Sequence, residues 1–348
     1  MHIVTDLPYP FRRPIDLCSL EQFDLDVYNL ATDDPPAEDV DRLGYTGMWG
    51  LPSAGPLRKH CRGVIVDYSW ECSTNPAWNT EKQKASGFHT RDVLWLLHRS
   101  HPRSKWTRKN TVIFWEFFAA DTQRRADRGD FLLPPIGSCR TVNPLVLTAQ
   151  LKDKPWRADL LRRLYHKGVL HTATVTTLGP GYTDRDPAFN RYLHSCTQEP
   201  VDRVEYWQDQ GQGFARGWPA DPSVYLGHRY SIVLETYACG GSFLGSSHVP
   251  DFVTEKTYRT ILMGHPFLLQ AEPGVFKYLR GLGFDLYHKP LDNEGLAQLA
   301  LEWNSAGQGF WDQQYRRAEY NRMILQTVGR RERKRLGKAI ERWRRTLR

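Results

Sequence analysis

The run Gly63 to Asp67, GVIVD, limits the fold more than any other short stretch of this chain. A continuous β-branched segment with no polar alternation suits a parallel strand buried on both faces, and such strands need helices to cover them. The flanking sequence reads the same way. His2 to Thr5, Leu25 to Leu30 and Thr111 to Phe117 are further strand candidates, and Thr90 to Ser100 carries Val93, Leu94, Leu96 and Leu97 at helical spacing. Strand, helix, strand in that order points to an open α/β sheet.

From Asp121 to Pro135 the composition shifts to alternating charges followed by LLPP, which marks a boundary near residue 135. The pattern then restarts. Pro144 to Thr148 reads as a strand, Trp156 to His166 as a helix and Val169 to Thr176 as a strand. They are followed by strand Tyr230 to Glu235, helix Thr254 to Met263, strand Pro266 to Gln270, helix Gly274 to Leu282 and strand Phe284 to Tyr287. Helices Glu294 to Trp303 and Trp311 to Val328 close the series. Asp202 to Gly227, rich in Trp, Gly, Gln and Pro, takes no assignment. The division expected is therefore 1–135 and 136–328, both α/β, with 329–348 as a separate basic helix or tail.

Charge is concentrated in that last segment. Arg330 to Arg348 holds ten basic and two acidic residues, a net of +8, which equals the formal charge of the whole chain. The remainder is balanced, so the cationic character is a local device. Ile340, Trp343 and Leu347 recur at spacings of three and four, as in an amphipathic helix docked on the body with arginines outward. Three uses fit this segment: a basic helix that closes the fold, a binding surface for a polyanion such as double-stranded DNA, or contact with an anionic membrane surface.

Several classes are excluded. Aromatic residues at 12 % argue against disorder, and no apolar run approaches the roughly 18 residues of a membrane span. The opening MHIVTDLPYPF has no basic or long apolar signal region, and six dispersed cysteines form no C-x-x-C pair; a cytoplasmic location with reduced thiols is expected. The histidines show no H-E-x-x-H spacing, so no metal is expected. Adjacent Glu255 and Lys256 opening a helix do not match the strand-borne E-x-K of a nuclease, and GQGFARG at 211–217 is not a dinucleotide-binding loop.

The chemistry points to residues 230–256. A strand ending at Glu235 is followed by a glycine-containing loop and a helix with Thr254 in the capping position. At the carboxyl edge of an α/β sheet the helix N-termini offer unpaired N–H groups to anions. Lys256 adds a charge suited to a diphosphate, while Glu235 or Glu255 can accept hydrogen bonds from sugar hydroxyls.

FVTEKTYRTILMGHPF at 252–267, followed by PGVFKYLRGLGF at 273–284, resembles the C-terminal signature of a glycosyltransferase-like family common in bacteriophages. PWRADLLRRLYHKGVL at 155–170 matches an earlier stretch of that family. The strand ending in Glu and the T-E-K helix start are also similar to those of α1,3-fucosyltransferases. The resemblance spans about Thr148 to Phe284. It implies a GT-B-like fold of two Rossmann-like domains facing a cleft and a UDP- or GDP-sugar donor, with no cofactor or metal required. It places Glu235, Thr254, Glu255 and Lys256 at the nucleotide sugar and Arg157 on the diphosphate. Arg259 stands where the family has Lys, and DLYHKPLDNEGL after Phe284 departs from the family's acidic segment.

A transferase also needs a base to take the acceptor's proton. Glu71, just past GVIVD, is the first candidate and Glu116 in IFWEFF the second. The acceptor implied is a 5-hydroxymethylpyrimidine base in phage DNA, inside the host cytoplasm. The alternatives are a surface glycan, or a nucleic-acid-binding protein without catalysis.

Overall fold

The computed structural model describes residues 2–5, 26–29, 43–46, 63–68, 89–99, 111–127, 144–148, 154–176, 183–196, 227–235 and 252–347, with single positions 129, 133, 151 and 225. Among these residues ten strands form two sheets. The first has six strands: β1 (His2–Thr5), β2 (Asp26–Asn29), β3 (Leu43–Thr46), β4 (Gly63–Tyr68), β5 (Val93–His98) and β6 (Thr111–Trp115), in the order β2-β1-β3-β4-β5-β6. The second has four: β7 (Pro144–Leu147), β8 (Thr174–Thr176), β9 (Tyr230–Leu234) and β10 (Phe267–Gln270), in the order β10-β9-β7-β8. Every described pairing in both sheets is parallel.

The stretch expected as a helix at 90–100 is a strand. A single 3₁₀ turn, Thr90–Asp92, is closed by the His89 N–H donating to the Asp92 carboxylate, and β5 follows at once. Val93 to Leu97 are at most 1 % exposed, because β5 lies between β4 and β6 and is covered on both faces. A helix of this sequence would leave Trp95 opposite the leucines. A central parallel strand buries all of them.

Among the described residues seven helices accompany the sheets: α1 (Phe117–Asp127), α2 (Pro155–His166), α3 (Pro187–Cys196), α4 (Glu255–Leu262), α5 (Pro273–Leu282), α6 (Asn293–Asn304) and α7 (Gln308–Arg344). Helix α1 occupies the start of the segment read as a boundary. Around the second sheet the strand pleat sorts the core cleanly. Leu145, Leu147, Val233 and Leu269 face α4 and α5, whereas Val146, Ile232, Leu234 and Leu268 face α2 and α6. Each fully buried aliphatic chain contributes about 1.5–3 kcal/mol, so covering both faces is what holds so short a sheet.

Residues 284–287, expected as a strand, are irregular. Phe284 and Leu286 are buried, but the Asp285 backbone pairs with a side chain instead of a strand: its N–H donates to Asn321 Oδ1 and its carbonyl accepts from Asn321 Nδ2.

Helix α7 does not stop at Val328 but runs 37 residues to Arg344, roughly 55 Å at 1.5 Å per residue. Its first turns bury Trp311 and Tyr315 on one side of the second sheet, and Leu325 and Val328 join the core on the other. Its last turns reach the first sheet, where Trp343 Nε1–H donates to the Arg91 carbonyl at 2.9 Å and Gly63 lies against Trp343 and Leu347. The segment read as a tail is thus the end of a strut joining both sheets. Two interior glycines, Gly329 and Gly337, do not break it, and Gly329 permits the close approach of α1.

Candidate functional site

The carboxyl edge of the second sheet gathers the charged residues of the T-E-K segment. Strand β9 ends at Leu234, and Glu235 follows with its backbone N–H still bonded to the Gln270 carbonyl at the end of β10. The Glu235 side chain is fully buried and turns toward the start of α4. It accepts from the Thr254 N–H at 3.0 Å, the Thr254 hydroxyl at 2.7 Å and the Thr257 hydroxyl at 2.6 Å. Thr254 occupies the N-cap position, as its sequence position predicts, but makes no side-chain cap of its own. The Glu235 carboxylate holds the helix start through the Thr254 N–H and the two threonine hydroxyls, leaving the first-turn N–H groups uncapped by it, and gains from the helix dipole.

Arg157, in the first turn of α2, reaches the same strand end. Its Nε donates to the Glu235 carbonyl at 3.1 Å, and NH2 donates to the carbonyls of Glu235 at 2.7 Å and Leu234 at 3.1 Å. Burial pulls its pKa down to about 10 against the opposing influence of Glu235 and Glu255, so the guanidinium stays charged at neutral pH.

Lys256 is only 4 % exposed and sits between two carboxylates, 3.9 Å from Glu235 Oε2 and 3.7 Å from Glu255 Oε1. Both separations exceed hydrogen-bond length. The ammonium is therefore held by charge while its N–H donors remain uncommitted among the described residues. Glu255 keeps 28 % of its side chain exposed. Burial opposes its ionisation, but Lys256, Arg259 and Arg157 outweigh burial and hold the carboxyl below the ordinary carboxylate range. Among the described residues three cations share this edge with two carboxylates, and the helix N-terminus adds partial positive charge, an arrangement compatible with an anionic ligand.

Three buried polar atoms at the same edge lack a hydrogen-bond partner among the described residues: Thr148 Oγ1 just past β7, Gln270 Oε1 at the end of β10, and Trp156 Nε1 beside Arg157. Gln270 and Trp156 are in contact, since Gln270 Nε2 donates to the Trp156 carbonyl at 3.0 Å. Each unsatisfied buried group costs about 1–3 kcal/mol, which a polar ligand would offset. None of the three belongs to the T-E-K motif; the carboxyl end of each apolar strand is the sequence signal that marks Thr148 and Gln270.

The two candidate bases fare differently. Glu71 lies outside the described residues. Glu116 follows β6, has no exposed surface, and accepts a hydrogen bond from the Tyr278 hydroxyl; its own N–H donates to the buried Glu332 carboxylate. Arg99 and Arg335 surround Glu332. A base must meet an acceptor hydroxyl, whereas this position is that of a structural carboxylate at the join of β6, α5 and α7.

Other features are satisfied in place. His265 receives the Ser231 hydroxyl at Nδ1 and bonds the His228 carbonyl through Nε2, at the opposite end of β9. A hollow of about 330 Å³ beside α2 is lined by Arg162, Arg163, His166, Lys167 and Glu294, whose charges are largely paired with Asp159, Asp186 and one another. Among the described residues there is no group of three or more His, Cys, Asp or Glu that could hold a metal ion, and no helix is long and apolar enough to cross a membrane.

No family model and no curated protein matches the sequence. Among solved structures, a Thermobaculum terrenum O-GlcNAc transferase mutant is similar, with a TM-score of 0.48 and 15 % sequence identity, covering 100 % of this chain and 68 % of that one.

Proposed function

We propose that the chain is a metal-independent, GT-B-like glycosyltransferase that takes its sugar from a nucleoside-diphosphate donor. The observation that carries this reading is the buried Lys256 ammonium, its donors uncommitted, at the α4 N-terminus within a cation-rich sheet edge. In the transfer the acceptor oxygen bonds to the anomeric carbon and the bond from that carbon to the diphosphate oxygen breaks. The electron pair leaves with the diphosphate, where Lys256 and the first N–H groups of α4 meet the growing negative charge. Glu255, partly exposed beside Lys256, accepts from donor hydroxyls. Arg157, Glu235 and Thr254 act through the backbone: they fix the strand end and the helix start, and so the place of Lys256. The base that receives the acceptor's proton is Glu71, the buried Glu116 being closed to an acceptor.

The acceptor in this reading is a hydroxymethyl group on a pyrimidine base of DNA, a polyanion that the cationic end of α7 suits. Titration with UDP-, GDP- and CMP-sugars tests the donor: saturating ligand raises the melting temperature, about 2.7 kcal/mol of added stability at 100 times Kd. No protection by any of them rejects the transferase. Incubating the same sugars with DNA carrying 5-hydroxymethylpyrimidines, followed by digestion to nucleosides, tests the acceptor. A mass gain of one glycosyl residue supports it, and turnover on glycans alone rejects it.

A further inference from the structure

The last four turns of α7 have two faces of different kinds. Leu336, Ile340 and Trp343 are buried against the body, and Trp343 is bonded to Arg91. Arg331, Lys334, Lys338, Arg342 and Arg345 are all exposed and recur at spacings of three, four, four and three. At 100° per residue they fall within an arc of roughly 60–80°, and at 1.5 Å per residue they extend over about 21 Å. The row is straight because the helix is anchored along its opposite side.

Among the described residues, acidic side chains pair with it only at its first position, Arg331. Glu332 is buried beneath the helix, 3.9 Å from Arg331 and bonded to Arg335, and Glu341 is paired with Arg344 at 3.5 Å, off the row. Arg342 donates to the Lys338 carbonyl, which leaves its charge intact. Lys334, Lys338 and Arg345 have no acidic partner among the described residues. We propose that this row is a binding surface for the phosphate backbone of double-stranded DNA.

Spacing and surroundings both favour a duplex. B-DNA carries one negative charge per about 1.7 Å of axis, so a straight 21 Å row of five cations can follow one flank of a groove without bending. An anionic membrane would also attract the row, but stable attachment requires apolar side chains beside the charges. Among the described residues the exposed large apolar side chains are Leu133, Leu291, Leu301, Tyr320 and Met323, none of them in this stretch. Backbone contacts carry no sequence information, so the row sets affinity and orientation while the choice of base falls to the catalytic edge. This deepens the DNA reading of the acceptor and rests on it.

Removing residues 330–348 does not test the proposal, since it also removes Leu336, Ile340 and Trp343 from the core. The triple substitution Lys334→Gln, Lys338→Gln, Arg342→Gln leaves the buried face intact, and Arg344→Gln, on another face, is the control. The measurement is the affinity of the full chain for an unmodified 20-base-pair duplex as a function of salt. Five phosphate contacts give a slope of log K against log salt of about −4.5, and the triple variant loses about 2.7 of it. Arg344→Gln keeps the wild-type slope, and thermal unfolding confirms that both variants fold. No binding to duplex by the wild type, an unchanged slope in the triple variant, or binding to phosphatidylserine vesicles in place of duplex overturns the proposal. Donor protection, measured on the same proteins, separates the two readings. Its absence with intact duplex binding rejects the transferase alone, and its presence without duplex binding rejects the DNA surface alone.

Discussion

Arg157 grips the main chain of Glu235, and the side chain of Glu235 grips the start of α4, so one buried residue links α2 to the helix that carries Lys256. A lysine at position 157 cannot reproduce the planar fork that meets two successive carbonyls. Arg157→Lys is expected to cost about 2–4 kcal/mol, the loss of charge-assisted hydrogen bonds to buried acceptors. Urea denaturation measures it. A cost under about 0.5 kcal/mol would show that the strand end does not depend on this contact.

Lys256→Met separates binding from folding. The three hydrogen bonds to Glu235 come from Thr254 and Thr257 and survive the change, but the buried carboxylate loses an ammonium 3.9 Å away, so stability falls by up to about 3–5 kcal/mol and binding is compared at a temperature where both proteins are folded. Affinity for a nucleoside diphosphate falls at least about tenfold, or 1.4 kcal/mol, while affinity for the nucleoside without phosphates is unchanged. Equal losses for both ligands would remove Lys256 from the phosphates.

The second half of the chain was legible because its elements carry their own boundaries. Pro155 and Pro273 open helices, Gly283 closes one in the left-handed region at φ 102°, and the apolar runs at β7, β9 and β10 are short and bounded. The first half misled at Val93–His98, since its apolar spacing fits a helix as well as a buried strand and only the neighbours β4 and β6 decide. The spacing of Ile340, Trp343 and Leu347 shows a docked amphipathic helix, and Ile340 and Trp343 are buried as it predicts; what the charge run after Val328 hides is that this helix continues unbroken from Gln308. At the site, the sequence named Arg157, Glu235, Thr254, Glu255 and Lys256, and the fold brings them to one sheet edge. What it could not express is direction: Glu235 faces the helix start, and Glu116 faces Tyr278. Side-chain direction depends on contacts 19 and 162 residues away in sequence.

Gly329→Ala tests the strut. Alanine is the better helix former by about 1 kcal/mol, yet its Cβ would lie 2.5 Å from Gln123 Cβ and 2.8 Å from the Ala119 carbonyl oxygen of α1. One of these obstacles is backbone and cannot rotate away. The clash outweighs the propensity, and a net loss of about 1–3 kcal/mol is expected by chemical denaturation. A stabilised variant would mean that α1 and α7 do not approach this closely.

His288 gives the fold a pH dependence of known sign. Strand β10 is an edge of the second sheet, and the Leu269 N–H, with no strand beside it, donates to His288 Nε2 at 2.9 Å; His288 Nδ1–H donates to the Lys289 carbonyl at 2.6 Å. Burial, with the nearby Arg280 charge, lowers the His288 pKa to about 4 against the raising effect of the Lys289 bond. The unfolded chain takes up its proton near the ordinary value of 6.5, whereas the folded chain resists until about 4. The stabilisation from neutral His288 is therefore complete above pH 6.5 and is lost as the pH falls toward 4, a change on the order of 3 kcal/mol. His288→Gln keeps an acceptor for the Leu269 N–H but cannot titrate. Urea midpoints measured from pH 7 to 4 should fall more steeply for the wild type than for this variant, and parallel curves would show that His288 does not hold the strand edge in its neutral form.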